Sequence, residues 1–120
     1  EKLKILVVED NPVNMLVALK SLKKLGIEPD SALNGLEAIE KTNLKDYDIV
    51  LMDLQMPELD GISSTKRILE NLKSKAPKII AMTANIFEED RQKCKKAGMI
   101  DFIPKPISLD VLRSKLFIHK

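Results

Sequence analysis

The chain has 120 residues, of which 44% are hydrophobic and 32% are charged, a balance typical of one globular domain with its own core. Its formal net charge of +2 is too small to indicate a nucleic-acid partner, and its one cysteine excludes an internal disulfide. No apolar run approaches the roughly 20 residues of a membrane-spanning helix. We therefore expect a single domain over residues 1–120 that lies in the cytoplasm and contacts neither a membrane nor nucleic acid.

Five short apolar runs predict β-strands. Continuous runs of aliphatic residues lie at 4–8, 49–52 and 78–82. Continuous apolar strands, in contrast to alternating ones, indicate burial on both faces of a sheet. The runs at 28–33 and 101–103 are more polar or shorter, so we place these two strands near the edges of the sheet.

Amphipathic segments between and after these runs predict helices. Their ranges are 12–25, 35–43, 62–74, 88–97 and 109–117. Pro12 and Ser108 suit helix starts, and Gly26 and Gly98 suit helix ends. In the first helix, we expect the core face to include Val13, Leu16, Val17, Leu19, Leu22 and Leu25. The regular alternation of strand and helix predicts an α/β fold, a parallel sheet with helices on both faces.

Polar residues lie at the carboxyl ends of these predicted strands. In sheets of this kind, ligands bind beyond the carboxyl ends of the strands. The residues at those ends are Glu9 and Asp10 after the first strand, Asp53 at the end of the third, Thr83 and Ala84 after the fourth, and Lys105 and Pro106 after the fifth. Three carboxylates, a hydroxyl and an ammonium group are therefore predicted to meet at one edge.

Three carboxylates in one place repel each other and need positive charge nearby. Mg²⁺ is a suitable cation, because it binds carboxylate oxygens while it keeps several waters, and Lys105 supplies a second positive charge. A resident phosphate ligand is disfavoured, since the loop after the first strand, "EDNPVN", has two acids and no glycine. A metal with a transient phosphoryl group fits better, with a carboxylate as the nucleophile.

The motifs "VVEDNPVN", "MDLQMPELDG", "MTAN" and "KP" together resemble the receiver (response-regulator, CheY-like) domain of two-component signalling. The resemblance covers the whole chain and is strongest to the receivers of hybrid sensor histidine kinases. It implies a flavodoxin-like fold, with strand order 2-1-3-4-5 and five helices. Since the sequence begins with Glu1 and not with Met, we also expect it to be a piece of a longer protein.

The resemblance implies a metal site and a nucleophile. Asp53 would be the phosphoacceptor. Asp10 and Asp53 would bind Mg²⁺ directly, with Mn²⁺ as a possible substitute, and Glu9 would bind it largely through water. The backbone carbonyl of Gln55 would complete the protein ligands. We also expect Gly61, with Pro57, to shape the loop after Asp53 and keep the nucleophile exposed.

The resemblance also implies a switch. Lys105 would pair with the Asp53 carboxylate and then with phosphoryl oxygens, oriented by a cis peptide bond to Pro106. Thr83 would move to bond the phosphoryl group, and Phe102 would swing inward with it; Ala84 would leave the approach open. This movement would change the surface formed by the fourth helix, the fifth strand and the fifth helix. Many receivers have a tyrosine where this chain has phenylalanine.

The resemblance also implies partners. A histidine kinase or a histidine phosphotransfer domain would be the phosphodonor. We expect the present chain to be a monomer, and not an enzyme except in promoting its own phosphorylation and dephosphorylation.

The alternative function is that of a small Mg²⁺-dependent phosphohydrolase with an aspartyl nucleophile. It usually needs a second acid two residues after the nucleophile, where this chain has Gln55. A flavin-binding electron carrier is disfavoured by the acidic first loop and by the absence of tryptophan beside a single tyrosine. A pseudo-receiver would usually lack part of the acid, threonine and lysine set.

Other reactive side chains receive structural interpretations. We expect Cys94 to lie in the core and His119 to be exposed, so that neither takes part in the chemistry. The methionines at 52, 56, 82 and 99 are predicted to pack, because their soft thioethers do not suit a site for a hard cation.

Overall fold

A computed structural model describes residues 3–56, 60–84 and 88–120 of the chain. The strands are β1 (Ile5–Val8), β2 (Asp30–Ala32), β3 (Ile49–Asp53), β4 (Lys78–Thr83) and β5 (Asp101–Pro104). The helices are α1 (Pro12–Lys24), α2 (Gly35–Leu44), α3 (Gly61–Leu72), α4 (Glu88–Ala97) and α5 (Leu109–His119), and a short 3₁₀ turn (Lys73–Lys75) follows α3. Among the helices in these three ranges, none combines the length and the apolar character that crossing a bilayer requires.

The five strands form one parallel sheet in the order β2-β1-β3-β4-β5. This is the predicted strand order, and the two strands expected near the edges, β2 and β5, are the edge strands. Val8 lies opposite Met52, and Met52 lies opposite Ala81. The carboxyl ends of β1, β3 and β4 are therefore aligned at one edge of the sheet.

Successive side chains of the central strands enter two different cores, as the period of a strand requires. One core packs under α1 and α5 and takes Ile5 and Val7 from β1. The other packs under α2, α3 and α4 and takes Leu6 and Val8. All residues of β1 and β3 are buried, so the prediction that these strands are covered on both faces is confirmed.

The predicted core face of α1 is partly wrong. The buried residues of this helix are Met15, Ala18 and Leu22, whereas Val13 and Leu16 are 68% and 52% exposed. The helix carries two apolar stripes at helical spacing, and the sheet covers the one that contains Met15. In α4, by contrast, Cys94 is buried as predicted, and the four methionines expected to pack are buried too.

Side chains that were not predicted as caps start three of the helices. Asn11, Asn34 and Asp60 accept hydrogen bonds from backbone N–H groups in the first turns of α1, α2 and α3. Ser108 does the same for α5, as predicted. These bonds satisfy N–H groups that have no partner inside the helix.

The glycines predicted to end helices do so. Gly26 and Gly98 follow α1 and α4 with φ angles of +82° and +105°. Residues with a side chain rarely adopt positive φ angles, which is why glycine commonly follows a helix. The N–H of Gly98 donates to the carbonyl of Cys94 in the last turns of α4, at 3.1 Å.

Gly61, the first residue of α3, lies directly against the end of β3. A Cβ atom at this position would lie 2.3 Å from the backbone carbonyl oxygen of Asp53 and 3.0 Å from the Cα of Leu54. Because both neighbours are backbone atoms, a side chain there would push α3 or β3 out of place. Gly61 therefore helps to place Asp53; Pro57, predicted to act with it, lies outside the described residues.

We predict that Gly61→Ala lowers the free energy of unfolding by about 1–3 kcal/mol, the usual cost of forcing extra atoms into a packed region. Alanine is otherwise the better helix former by about 1 kcal/mol, so helix propensity alone predicts the opposite sign. Urea unfolding measures the difference, and Ser63→Ala, in the same turn of α3, is the control. Equal or higher stability in Gly61→Ala would show that the close approach to Asp53 does not constrain the fold.

Candidate functional site at the carboxyl edge of the sheet

Three carboxylates meet at the aligned ends of β1 and β3. Glu9 follows β1, Asp10 follows Glu9, and Asp53 is the last residue of β3. One ligand oxygen from each lies within 4.8 Å of the other two. Glu9 and Asp53 are only 2% and 1% exposed, whereas Asp10 is exposed. The cluster is therefore a largely buried acidic pair with one carboxylate at the solvent side.

Lys105, which follows β5, places its ammonium group between the two buried carboxylates. Its Nζ donates a hydrogen bond of 2.9 Å to Asp53 Oδ1 and lies 2.8 Å from Glu9 Oε1. The side chain is 17% exposed. Its backbone N–H donates to the Thr83 carbonyl at 3.0 Å, and the peptide bond to Pro106 is cis, as the resemblance implies. The hydrogen bond to Thr83 therefore ties the backbone of this lysine to the end of β4.

Burial changes the acidity of the pair. The pKa of Glu9 rises to about 7, because burial disfavours its charged form and the adjacent Asp53 adds to the effect, against the opposing effect of Lys105. Burial lowers the pKa of Lys105, but its bonds to Glu9 and Asp53 outweigh that and raise it overall. Three ionised carboxylates around one ammonium group leave two negative charges without compensation. When all three carboxylates are ionised, the cluster therefore favours a further cation.

The donor atoms suit Mg²⁺. The three carboxylates offer hard oxygen ligands, and the described residues of the cluster include no thiolate or imidazole that would favour zinc. Glu9, Asp10 and Asp53 are the residues that would hold such an ion. Gln55 also lies at the site, since its N–H donates to Asp53 Oδ1 at 3.1 Å. Its carbonyl as a metal ligand stays a prediction.

The other predicted residues lie around this cluster. Thr83 ends β4 and is 3% exposed, and Ala84 beside it is exposed. Phe102 is half-buried in β5 and makes no described contact with the acids. The structure thus brings together the acids, Lys105 and Gln55, with Thr83 joined to them through the backbone of Lys105. Asn85, the last residue of the "MTAN" motif, lies outside the described residues.

Two expectations about exposure are wrong. Asp53 was expected to be exposed but is 1% exposed, because β3 is a central strand and Glu9 and Lys105 pack against its end. His119 was expected to be exposed, but its Nε2 lies 2.8 Å from Asp101 Oδ2 and its side chain is 17% exposed. Asp101 lies on the edge strand β5, and His119 in the last turn of α5 reaches it there.

Two features of the site were not predicted. One is the contact of Lys105 with Glu9. The available signal for this contact was that a buried acid needs a cation nearby. The other is the N–H of Asn11, which donates to Glu9 Oε2 at 3.3 Å. Together with Lys105, this bond holds both oxygens of the Glu9 carboxylate.

Comparison with known proteins assigns a family to this arrangement. The model of the family described as the response regulator receiver domain matches residues 5–117. A curated relative, hybrid signal transduction histidine kinase H of Dictyostelium discoideum, is 42% identical over 118 residues. The matched region is 95% of this chain but 9% of that protein, so the chain spans less than a tenth of the relative's length.

Two solved structures carry further information. The receiver domain of sensor histidine kinase PA1611 from Pseudomonas aeruginosa, with a magnesium ion coordinated in its active-site cleft, is 37% identical with a TM-score of 0.90. That match covers 99% of this chain and 98% of the other. A receiver domain of the response regulator Ssk1, crystallised with the Saccharomyces cerevisiae histidine phosphotransfer signaling protein Ypd1, is 30% identical with a TM-score of 0.92. It covers 98% of this chain and 88% of that one.

We predict that two substitutions in the cluster affect stability differently, measured with a chelator at pH 8, above the pKa of Glu9. Lys105→Met should lower the free energy of unfolding by about 3 kcal/mol, because it leaves two buried carboxylates unpaired. Asp53→Asn should leave it unchanged or raise it, because one of the repelling charges is removed.

Urea unfolding gives both values, with Lys66→Met, at an exposed position of α3, as the control for the loss of a lysine. A loss in Asp53→Asn as large as that in Lys105→Met would contradict the charge argument, since the cluster would then act as a neutral hydrogen-bond network.

Proposed function

The chain belongs to the response regulator receiver domain family, and on that premise we propose that it is a phosphoacceptor switch of a two-component or phosphorelay system. Asp53 accepts the phosphoryl group from a phosphohistidine. The observation that carries this proposal is the position of Asp53 at the end of a buried central strand, within 4.8 Å of two further acids and 2.9 Å from the Lys105 ammonium group. An isolated strand-end carboxylate would have neither.

The reaction is a phosphoryl transfer. An oxygen of the Asp53 carboxylate bonds to phosphorus as the bond from phosphorus to the imidazole nitrogen of the donor breaks, and the imidazole leaves with the electron pair. Glu9, Asp10 and Asp53, with the Gln55 carbonyl, would hold Mg²⁺ or Mn²⁺. When bound, this ion would supply positive charge that offsets the charge of the phosphoryl oxygens. Lys105 already contacts Asp53 and stays paired with the oxygens that arrive. Water later attacks phosphorus, the bond from phosphorus to the Asp53 oxygen breaks, and inorganic phosphate leaves, which restores the carboxylate.

The buried position of Asp53 supports this chemistry. Charged groups interact more strongly when water is excluded, so Lys105 acts on a developing charge with more effect than a surface lysine would. The structure also holds Asp53 Oδ1 through the Gln55 N–H. A carboxylate fixed in this way enters the reaction with little reorganisation.

The phosphoryl group changes the surface of the domain through Thr83. The added group carries about −1.5 to −2 charges and strong acceptor oxygens. Thr83 moves to donate its hydroxyl to one of them, Phe102 turns inward, and the surface of α4, β5 and α5 changes. The exposed methyl of Ala84 leaves the phosphoryl group room to enter.

The phosphodonor is a histidine kinase or a histidine phosphotransfer protein. The support is that a receiver 30% identical to this chain was crystallised with the phosphotransfer protein Ypd1, and that the curated relative is a hybrid histidine kinase. We place this exchange in the cytoplasm and expect the domain, over residues 1–120, to act as a monomer.

A phosphohydrolase is the less favoured alternative. Its second acid would stand at residue 55, and Gln55 there has no carboxyl group for general acid–base catalysis. In the structure, the backbone N–H of Gln55 contacts the nucleophile. A residue in this role stabilises the carboxylate but does not transfer protons to a leaving group.

We predict that the protein gains one phosphoryl group when it is incubated with Mg²⁺ and acetyl phosphate, as measured by intact-protein mass spectrometry. Asp53→Asn should gain none, because the amide is not a nucleophile. Asp46→Asn, the same change at an exposed acid before β3, should behave as the wild type. An unmodified wild type, or equal modification of Asp53→Asn, would refute the proposal.

A further inference from the structure

Arg91 of α4 lies over the ring of Phe102 in β5. The guanidinium carbon is 5.6 Å from the ring centroid, within the range of a cation–π contact. Arg91 is exposed and Phe102 is half-buried, with its inner part packed against the core under α2, α3 and α4. The half-buried ring therefore contacts both this core and a cation on an exposed side chain.

Phe102 and Thr83 lie on the same face of neighbouring strands. In β4, Ile79 and Ala81 enter the core under α2, α3 and α4, while Ile80 and Met82 enter the other core. Thr83, two residues after Ala81, continues the face of Ala81. Ala81 is the residue opposite Phe102 in the register of β4 and β5. Directly opposite Phe102, β4 thus presents the methyl group of Ala81, and Thr83 lies two residues further along the same face.

The opposite side of β5 is fixed to α5. Asp101 Oδ1 accepts a hydrogen bond of 2.7 Å from Lys115 Nζ, and Asp101 Oδ2 lies 2.8 Å from His119 Nε2. The same Oδ1 accepts from the backbone N–H of Phe102, at 2.8 Å. The backbone of Phe102 is therefore held in place, and a change at this residue would be a rotation of its side chain.

We propose that Arg91 is a positioning residue that holds the Phe102 ring in its outward position and so favours the unphosphorylated state. This inference rests on the proposed function, in which Phe102 turns inward as Thr83 moves. The inward ring leaves the guanidinium group, so the contact stabilises one of the two states and not the other. Only such a difference in interaction shifts an equilibrium between conformations.

The contact takes the place of a hydrogen bond that Phe102 cannot make. Phenylalanine has no hydroxyl group with which to bond a neighbouring acceptor in either position. Its polar interactions are limited to those of the ring face, which attracts a cation. At an exposed position, a contact of this kind changes an equilibrium by about two- to fivefold.

The test is fluorine NMR on protein labelled with 4-fluorophenylalanine. The chain has three phenylalanines, and Phe102→Leu identifies the signal of residue 102. The variants are Arg91→Met, which keeps much of the side-chain length without the charge, and Arg91→Lys, which keeps a cation. Lys93→Met is the control, since Lys93 is exposed on the same helix and stacks on no ring in the part of the chain described.

Two quantities are measured for each variant. The first is the fraction of the Phe102 fluorine signal that lies at the inward chemical shift before phosphorylation. The inward chemical shift is the one that the wild type shows after incubation with Mg²⁺ and acetyl phosphate. The second is the rate of phosphorylation by intact mass. In Arg91→Met we expect both to rise by about two- to fivefold. Arg91→Lys should lie between Arg91→Met and the wild type, and Lys93→Met should match the wild type.

The outcomes separate the inference from the function on which it rests. If the wild type gains no phosphoryl group, the proposed function fails and the role of Arg91 fails with it. If the wild type is phosphorylated and its Phe102 signal moves, but Arg91→Met matches Lys93→Met, the function stands and Arg91 has no positioning role. An equal rise in Arg91→Lys and Arg91→Met would also overturn the inference, because the cation would then be irrelevant.

Discussion

The site depends on one ammonium group placed between two buried carboxylates. Lys105 contacts Glu9 and Asp53 at 2.8 and 2.9 Å, and neither acid has more than 2% of its surface exposed. One lysine balances only part of the charge of three ionised acids, so the cluster retains an excess of negative charge. Burial raises the pKa of Glu9 to about 7, with the adjacent Asp53 adding to the effect. In the function that we propose, this excess of negative charge prepares the site for a divalent cation, and with it for a phosphoryl group that brings further negative charge. A neutral or fully paired cluster would have no need of either.

The fold serves this arrangement by bringing distant parts of the chain to one edge. The register of β1, β3 and β4 aligns the strand ends, and the bond between the Lys105 N–H and the Thr83 carbonyl extends the alignment to the end of β5. Gly61 lets α3 start directly against the carbonyl of Asp53. These are backbone constraints, so the positions of the acids and of Lys105 depend on the sheet itself. The side-chain movements that we propose, at Thr83 and Phe102, can then take place on a fixed frame.

Much of this fold could be predicted from the sequence, because the signals are local. Continuous apolar runs marked the central strands, and Gly26 and Gly98 marked helix ends. The convergence of acids and a lysine followed from the rule that parallel strands end at a common edge. What could not be predicted depends on contacts between distant residues. Packing between elements decides which stripe of α1 faces the sheet and how deeply Asp53 is buried. It also decides the contacts of Lys105 with Glu9 and of His119 with Asp101. Residue spacing in the sequence does not report such packing.

The central claim is that this cluster holds a divalent cation because of its excess charge. It is tested most directly by isothermal titration calorimetry with Mg²⁺ on the unphosphorylated wild type, on Asp10→Asn and on Asp46→Asn. We predict one Mg²⁺ per chain for the wild type and for Asp46→Asn, and an affinity at least about tenfold lower for Asp10→Asn, since it removes a ligand and a charge. Absence of Mg²⁺ binding to the wild type, or equal affinity in Asp10→Asn, would contradict the account.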